Sequence, residues 1–552
     1  MVQVDTLYTN ANVLTLDNEN KRADIVAAYD GNIIGVWTHE QYKQIKEVLV
    51  TAEIVDLKGK TMIPGFIDTH NHLLMYALNK GQVNCSSERN KSIDEILANL
   101  RVFGEKTNDD SWIIGYGYDD TLLAENRHPT RYDLDQVSTD RPIFIKHISN
   151  HLAVANSCAL QLAQVDDSIQ DPAGGHFGRD ENGQLTGVLY EPAAMDLVFK
   201  YAPTPSDEEV VQLIERAAQD YLAQGITTSS DAGIGLVLGP KEYELHMKAL
   251  QDDANPLRMR FMVMYDLLSE GGRFAQHSAE ELDSQIQQDS HGKARLDSAK
   301  LFQDGSIQGL TGALRKPYYC DESLVGVLIM SQDELNQYVQ DFHDRGFRVT
   351  THGNGDRAIG SIIEAYQQAI DNSPKADHRH RIEHVQTATS EDLQEMKKYD
   401  IAASFFINHV YYWGDRHKRI FLGPERAERM NALKEASELG MLYTLHSDCP
   451  ITPISPLFSI WAAVNRITRE GNVLGENQKI DVIEALKSMT IYGAQLNFDE
   501  KTAGTIEVGK AADFAILDND PTAVSPVELN NISVEMTIIN GKTVYQKTAV
   551  KQ

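Results

Sequence analysis

Residues 64–73 read PGFIDTHNHL, an apolar run that breaks into Asp68, His70 and His72. In an extended strand the side chains at i and i+2 leave one face, so both imidazoles can reach a single cation. Histidine is the commonest metal ligand, and the carboxyl end of a first barrel strand is where a (β/α)8 barrel keeps its chemistry. Taken alone, an HxH pair is better read as a chance pair in a surface loop. The rest of the chain has to decide.

Outward from Met62, short β-rich runs ending in polar residues alternate with amphipathic helical stretches, the rhythm of a parallel α/β fold. Candidate strands fall at 62–69, 225–230, 258–264, 296–302, 346–351, 380–384, 401–405 and 441–446, which is the barrel count of eight. Ser331 and Glu334 form a capping box ahead of LNQYVQDFHDRG, and 207–224 carries an apolar stripe at helical spacing. The stretch from about 75 to 205 breaks the rhythm and reads as a large insertion after the first strand, expected over the barrel mouth.

The two ends of the chain differ from the middle. Val4 to Leu16 and Ile25 to Val36 alternate as strands do, with Asp30-Gly31 supplying the positive-φ pair of a tight hairpin. Phe514 to Leu517 and Val534 to Tyr545 do the same around Asn540-Gly541. The expected fold class is therefore α/β: a (β/α)8 TIM-type barrel over 61–499 with a small β-sandwich built from both termini, 1–60 plus 500–552.

Bulk properties bound the function. At 552 residues the chain is too long for one core, and 42% hydrophobic with 24% charged residues is the composition of a folded globular protein, which excludes disorder. A net charge of −29 repels polyanions, so nucleic acid and anionic membrane are poor partners, and the charge says nothing about substrate. The partners expected are a small-molecule substrate, with no nucleic acid and no membrane, and a homo-oligomer is allowed. Four scattered cysteines without a CxxC pair suggest neither a disulfide framework nor a thiolate zinc site. The N-terminus lacks the basic start and apolar run of a signal peptide and no stretch reaches bilayer length, so a cytoplasmic location is expected.

Single polar residues recur at later strand ends: Lys300 in DSAKLFQDGS, His352 in VTTHGNGD, His384 in RIEHVQ and Asp448 in LHSDCPI. Any one of them is more often a satisfied core or rim residue. Six such residues at the ends of strands one, four, five, six and eight would converge on one face of a barrel, and chance becomes the weaker reading.

With these motifs the chain resembles the amidohydrolase superfamily, and within it the N-substituted formamide deformylase-like hydrolases of amidohydrolase family 3 type. The resemblance runs through PGFIDTHNHL, KLFQDGSIQGLTGAL, THGNGDRAI, RIEHVQ, HSDCPITPISP and TAGTIEVGKAADFAIL, which together span most of 60–520. It implies a metal-dependent hydrolase that cleaves a C–N bond other than a peptide bond, in an amide or an N-formyl or N-acyl compound. It implies two divalent metals, His70 and His72 on the more buried one, His352 and His384 on the more exposed one. Lys300 would bridge both as a CO2-derived carbamate, and Asp448 would be both ligand and proton shuttle. Zinc suits such ligands best, although iron, manganese or nickel could occupy them. Metal-bound water loses its proton near pH 7, so hydroxide would attack the carbonyl while Asp448 moves the proton to the leaving nitrogen.

Other positions have two readings each. Lys300 could instead pair with Asp304 or another acid. His151 and Asn156, in KHISNHLAVANS, fall where the family lines its pocket, though His147 and His151 could equally be surface residues at helical spacing. Glu191, in GQLTGVLYE, belongs to a family signature of underived purpose. His409 could hydrogen-bond a substrate carbonyl or its oxyanion; the family's Gln-Pro pair is replaced here by Phe406-Ile407-Asn408. Tyr411, Tyr412 and Trp413 either meet an apolar substrate group or pack a loop. His378 and His380 read as structural or exposed. A deaminase on this barrel would carry a Glu soon after the fifth-strand histidine, where this chain has Gly353-Asn354-Gly355-Asp356. Lactone or ester hydrolysis and a non-catalytic sensor remain as alternatives.

Overall fold

In the computed structural model, which describes residues 1–107, 111–148, 152–172 and 175–548, the expected strand 62–69 is two strands. Thr61–Pro64 pairs with Phe514–Leu517 and Asn12–Leu14, whereas Phe66–Asn71 opens the barrel. Gly65 separates them. A Cβ at that position would stand 2.2 Å from Thr227 Oγ1, so only a glycine lets the chain pass this close to its neighbour.

The barrel strands are β1 (Phe66–Asn71), β2 (Ile226–Ile234), β3 (Arg258–Met264), β4 (Ala294–Phe302), β5 (Val349–Gly353), β6 (Arg381–His384), β7 (Ala402–Phe405) and β8 (Tyr443–Leu445). Neighbours pair in parallel in that order. Strand β8 returns beside β1, where Thr69 Oγ1 and Thr444 Oγ1 are 2.8 Å apart, so the barrel is nearly closed. Every residue of β1 and β2 is buried, as expected of parallel strands covered on both faces.

Helices fill the crossovers. Lys241–Gln251 follows β2, Ala279–Asp289 follows β3, Gln332–Asp344 follows β4, Asp356–Asn372 follows β5 and Ser390–Lys398 follows β6. The expected Ser331/Glu334 capping box is present, and Ser278/Glu281 and Thr389/Asp392 make two more. Each satisfies two of the N–H groups a helix start leaves unpaired.

Strands from both termini share one six-stranded sheet, ordered Lys542–Gln546, Val534–Ile539, Phe514–Leu517, Thr61–Pro64, Asn12–Leu14 and Arg22–Ala23. A second sheet runs Asn32–Trp37, Ile25–Tyr29, Val2–Thr9 and Leu49–Asp56. Tyr8, Val26 and Ile33 of the second sheet share a buried cluster with Val13, Met62, Phe514 and Ile538 of the first. Both hairpin turns form as the sequence requires, with positive φ at Asp30, Gly31, Asn540 and Gly541.

The chain divides into two compact units, Met1–Leu74 with Ile214–Gln552, and Met75–Leu213. The second unit holds a mixed sheet ordered His176–Arg179, Leu185–Tyr190, Leu152–Ala155, Ile143–His147, Ile113–Tyr118 and Val83–Asn84. His147 ends a strand rather than lying on a helix, and its Nε2 is 3.1 Å from Asp120. Asn156 has a structural role. It is fully buried, caps the helix Ser157–Leu162, accepts from Ile143 N, and donates to Ser138 O and Arg141 O. His151 lies outside the described residues. Glu191 opens the helix Glu191–Phe199 with φ 66°. Among the described residues no helix is long and apolar enough to cross a membrane.

Candidate active site

The carboxyl ends of β1, β4, β5 and β6 and the segment just after β8 bring the expected side chains together. His70 lies within β1 and His72 one residue beyond it. The backbone N–H of His72 donates to Cys449 O at 2.7 Å, which ties the end of β1 to the segment that carries Asp448. Asp448 Oδ1 is consequently 3.3 Å from His70 Nε2 and 3.3 Å from His72 Nε2. The His384 ring is 4.8 Å from that of His70 and 4.4 Å from that of His352. Ligand atoms of His70, His384 and Asp448 all lie within 4.8 Å of one another. His384 and Asp448 hold φ values of 72° and 53°, the left-handed region that a non-glycine residue occupies at a cost and that clusters at functional sites.

Lys300, in the interior of β4, is fully buried, and its Nζ has no hydrogen-bond partner among the described residues. The alternative ion pair with Asp304 does not form. Asp304 accepts from Ala313 N at 2.9 Å, Asn354 N at 3.0 Å and Gly355 N at 2.8 Å, and it lies 3.1 Å from His352 Nδ1. Burial pushes the Lys300 amine down to about 8, against the pull of the Glu383 and Asp448 carboxylates.

Sequence reasoning missed two residues at the heart of this cluster. Glu383 Oε2 is 2.6 Å from His70 Nδ1, so the carboxylate fixes that ring and leaves Nε2 to face Asp448. Burial works to raise the Glu383 pKa, yet Arg381 and His70 hold it well below the usual carboxylate range. Arg381 in turn reaches Asp297 at 3.2 Å, and Asp297 is 2.9 Å from Arg348, a buried chain of alternating charges. His446 stacks 4.6 Å from His70, places its Nε2 3.1 Å from His384 Nδ1, and puts Nδ1 2.8 Å from Ser404 Oγ. Two signals could have found them. Glu383 is a lone acid inside a buried strand, and His446 with Asp448 repeats the i, i+2 spacing of His70 with His72.

The donor set fits a cation. Three ligands at ordinary zinc distances around a tetrahedral centre stand about 3.3 Å apart, the spacing between Asp448 and its two imidazoles. Burial raises the Asp448 pKa, but His70 and His72 outweigh it and hold the group well below the usual range, hence ionised. Burial and His352 keep His384 neutral, with its pKa well below the usual imidazole range, as a ligand requires.

The His409 and Trp413 rings lie 4.4 Å apart at a tilt of 31°, and Phe406, 4.4 Å from His409, is 5.7 Å from His384 and 5.3 Å from His446. Tyr411 packs on Phe458 at 5.1 Å and Trp461 at 5.9 Å. His378 and His380 are both buried and structural: His378 reaches Tyr399 O, and His380 accepts from Val349 N.

A nearly closed parallel barrel with imidazoles and a carboxylate converging at its strand ends defines a metal-dependent hydrolase. The chain belongs to the amidohydrolase family, whose model matches residues 53–545. It is 30% identical over 547 residues to YtcJ of Bacillus subtilis, which carries an amidohydrolase name, covering 97% of this chain and 98% of that protein. It is 29% identical over 555 residues to the N-substituted formamide deformylase of Arthrobacter pascens, covering 99% of each. A metal-dependent hydrolase from Pyrococcus furiosus superposes with a TM-score of 0.73 at 25% identity, over 94% of this chain and 99% of that one.

Proposed function

We propose that this enzyme hydrolyses a C–N bond other than a peptide bond, in a linear amide of the N-formyl or N-acyl amine class. One observation carries the reading: Asp448 Oδ1 equidistant from two imidazoles, next to strands that bury a lysine amine with no partner. The name of the Arthrobacter pascens relative supports the choice of bond.

In this reading His70, His72 and Asp448 would hold one divalent metal, His352 and His384 would hold a second, and Lys300, as a carbamate, would serve both. Zinc suits these ligands. When bound, such metals make a nucleophile of water at neutral pH and polarise the scissile carbonyl. The chain's own groups do the rest. A lysine amine held at about 8 is partly neutral at physiological pH, so Lys300 can add CO2 at Nζ and release one proton, becoming a carbamate. Ionised Asp448 takes a proton from the attacking water and returns it to the departing amine nitrogen. Glu383 keeps the His70 ring oriented throughout. His409 donates a hydrogen bond to the carbonyl oxygen as charge develops there, and Trp413 walls its ring.

The test is elemental analysis of the purified protein and of Lys300→Ala, with turnover on a panel of N-formyl and N-acyl amines. About two metals per chain, falling in the variant together with hydrolysis, supports the proposal. One metal or none, with turnover unaltered in the variant, removes Lys300 from the mechanism. Turnover confined to lactones or amidines would move the substrate class.

A further inference from the structure

His417 has no part in the reading above, yet it holds the one polar contact that His409 makes through its ring among the described residues. The His417 Nε2 and His409 Nδ1 atoms are 3.1 Å apart, and both residues are buried. The other nitrogen of His417, Nδ1, is sealed from solvent and has no hydrogen-bond partner among the described residues. His409 Nε2 makes no hydrogen bond among the described residues. Phe406 and Trp413, each 4.4 Å away, pin the His409 ring. His417 begins a π-helical turn, His417–Phe421, a widening of the helix that is frequent at functional sites.

Only one proton can lie between the two facing nitrogens, and a neutral imidazole carries only one. Burial keeps both rings neutral. Suppose His409 donated from Nδ1. His417 would then accept at Nε2 and carry its own proton on Nδ1, an N–H buried with no acceptor, which is the rarest kind of unmet group in folded proteins. With the proton on His417 Nε2, the sealed Nδ1 is a bare lone pair, and the N–H without a protein partner is that of His409 Nε2, which is not among the sealed atoms and can meet water or substrate.

We propose that His417 donates from Nε2 to His409 Nδ1 and thereby holds His409 in the tautomer that carries its proton on Nε2, the atom left to meet the substrate's carbonyl oxygen. The catalytic consequence rests on the reading of His409 given under Proposed function; the tautomer assignment does not. His417 is a positioning residue. Without it His409 could present a lone pair to the carbonyl oxygen, repelling the charge it is meant to stabilise.

The tautomer can be read directly in the full-length, metal-loaded protein labelled with 15N in its histidine rings, by long-range proton–nitrogen correlation, with His409 assigned by loss of its signals in His409→Phe. The expected result is an Nε2–H His409 in the native protein, a shift towards Nδ1–H in His417→Phe, and retention of Nε2–H in His417→Gln, whose amide can still donate. An Nδ1–H His409 in the native protein, or an unchanged tautomer in His417→Phe, overturns the proposal. Should His417→Phe fail to fold, the native spectrum and His417→Gln still decide. On an N-formyl amine, His417→Phe is expected to lower kcat about tenfold or more with KM little changed, and His417→Gln to recover part of that loss. A shifted tautomer with turnover unaltered in both His417→Phe and His409→Phe would overturn the carbonyl contact of His409 while leaving the tautomer assignment standing.

Discussion

At the residue scale, Asp448 and Glu383 are two carboxylates whose surroundings give them different work. Asp448 faces two imidazole Nε2 atoms and has one oxygen, Oδ1, with no hydrogen-bond partner of ordinary geometry, as expected of a group meant for a cation and a mobile proton. Glu383 is spent on His70 Nδ1 and Arg381, as expected of a group that orients a ligand. Asp448→Asn keeps the shape and removes the base, so kcat is expected to fall by about two to four orders of magnitude, measured by steady-state kinetics on the substrate that the amide panel identifies. Glu383→Gln is expected to weaken metal affinity by about 10- to 100-fold, because supporting carboxylates tune a ligand imidazole to that extent. Competition with a chelator of known affinity measures this. Unchanged affinity would make the Glu383 contact a matter of folding alone.

At the scale of elements, the barrel begins at Gly65, and the reason is steric. The strand Thr61–Pro64 belongs to a sheet made by both termini, and the chain enters β1 past the side chain of Thr227 with no room for a Cβ. Gly65→Ala is expected to cost about 1–3 kcal/mol, the usual range for overpacking, read as a lower urea midpoint with an unchanged slope. Adding Thr227→Ala should return part of the loss, since the clash is with that side chain; full additivity of the two costs would locate the strain elsewhere.

At the scale of the whole molecule, a chain of three buried histidines ties together elements far apart in sequence. His378 Nδ1 accepts from His380 N, His380 Nδ1 accepts from Val349 N, and His380 Nε2 faces His343 Nδ1 at 2.8 Å. Burial, and then the neighbouring imidazoles, lower the pKa of His380 well below the usual value, and burial lowers that of His378. Groups depressed in the folded state give stability that is whole above the unfolded histidine value near 6.5. That stability is lost as pH falls through it, because the unfolded chain then takes up protons the folded one refuses. The urea midpoint should therefore drop between pH 7.5 and pH 5.5, and should drop less in His378→Asn/His380→Asn. An equal drop in both proteins would assign the acid sensitivity to other groups.

The sequence by itself determined the parallel α/β rhythm, the eight strands, the two Gly-containing hairpin turns and the Ser331/Glu334 capping box. These are local properties, written as side-chain period, β-branching and turn chemistry within a few residues. It also supplied His70, His72, Lys300, His352, His384 and Asp448, because a barrel puts the last residues of its strands on one face wherever they lie along the chain. Tertiary structure alone decided the partners. Glu383 meets His70 across 313 residues, and Asp304 turns to three backbone N–H groups and His352 instead of Lys300. Strand closure also makes His446 a neighbour of His70. His409 and His417 stand eight residues apart, about 12 Å along a regular helix, a spacing that gives no hint of contact. Which atoms meet is set by how strands close and where side chains are left room, and no local pattern encodes that.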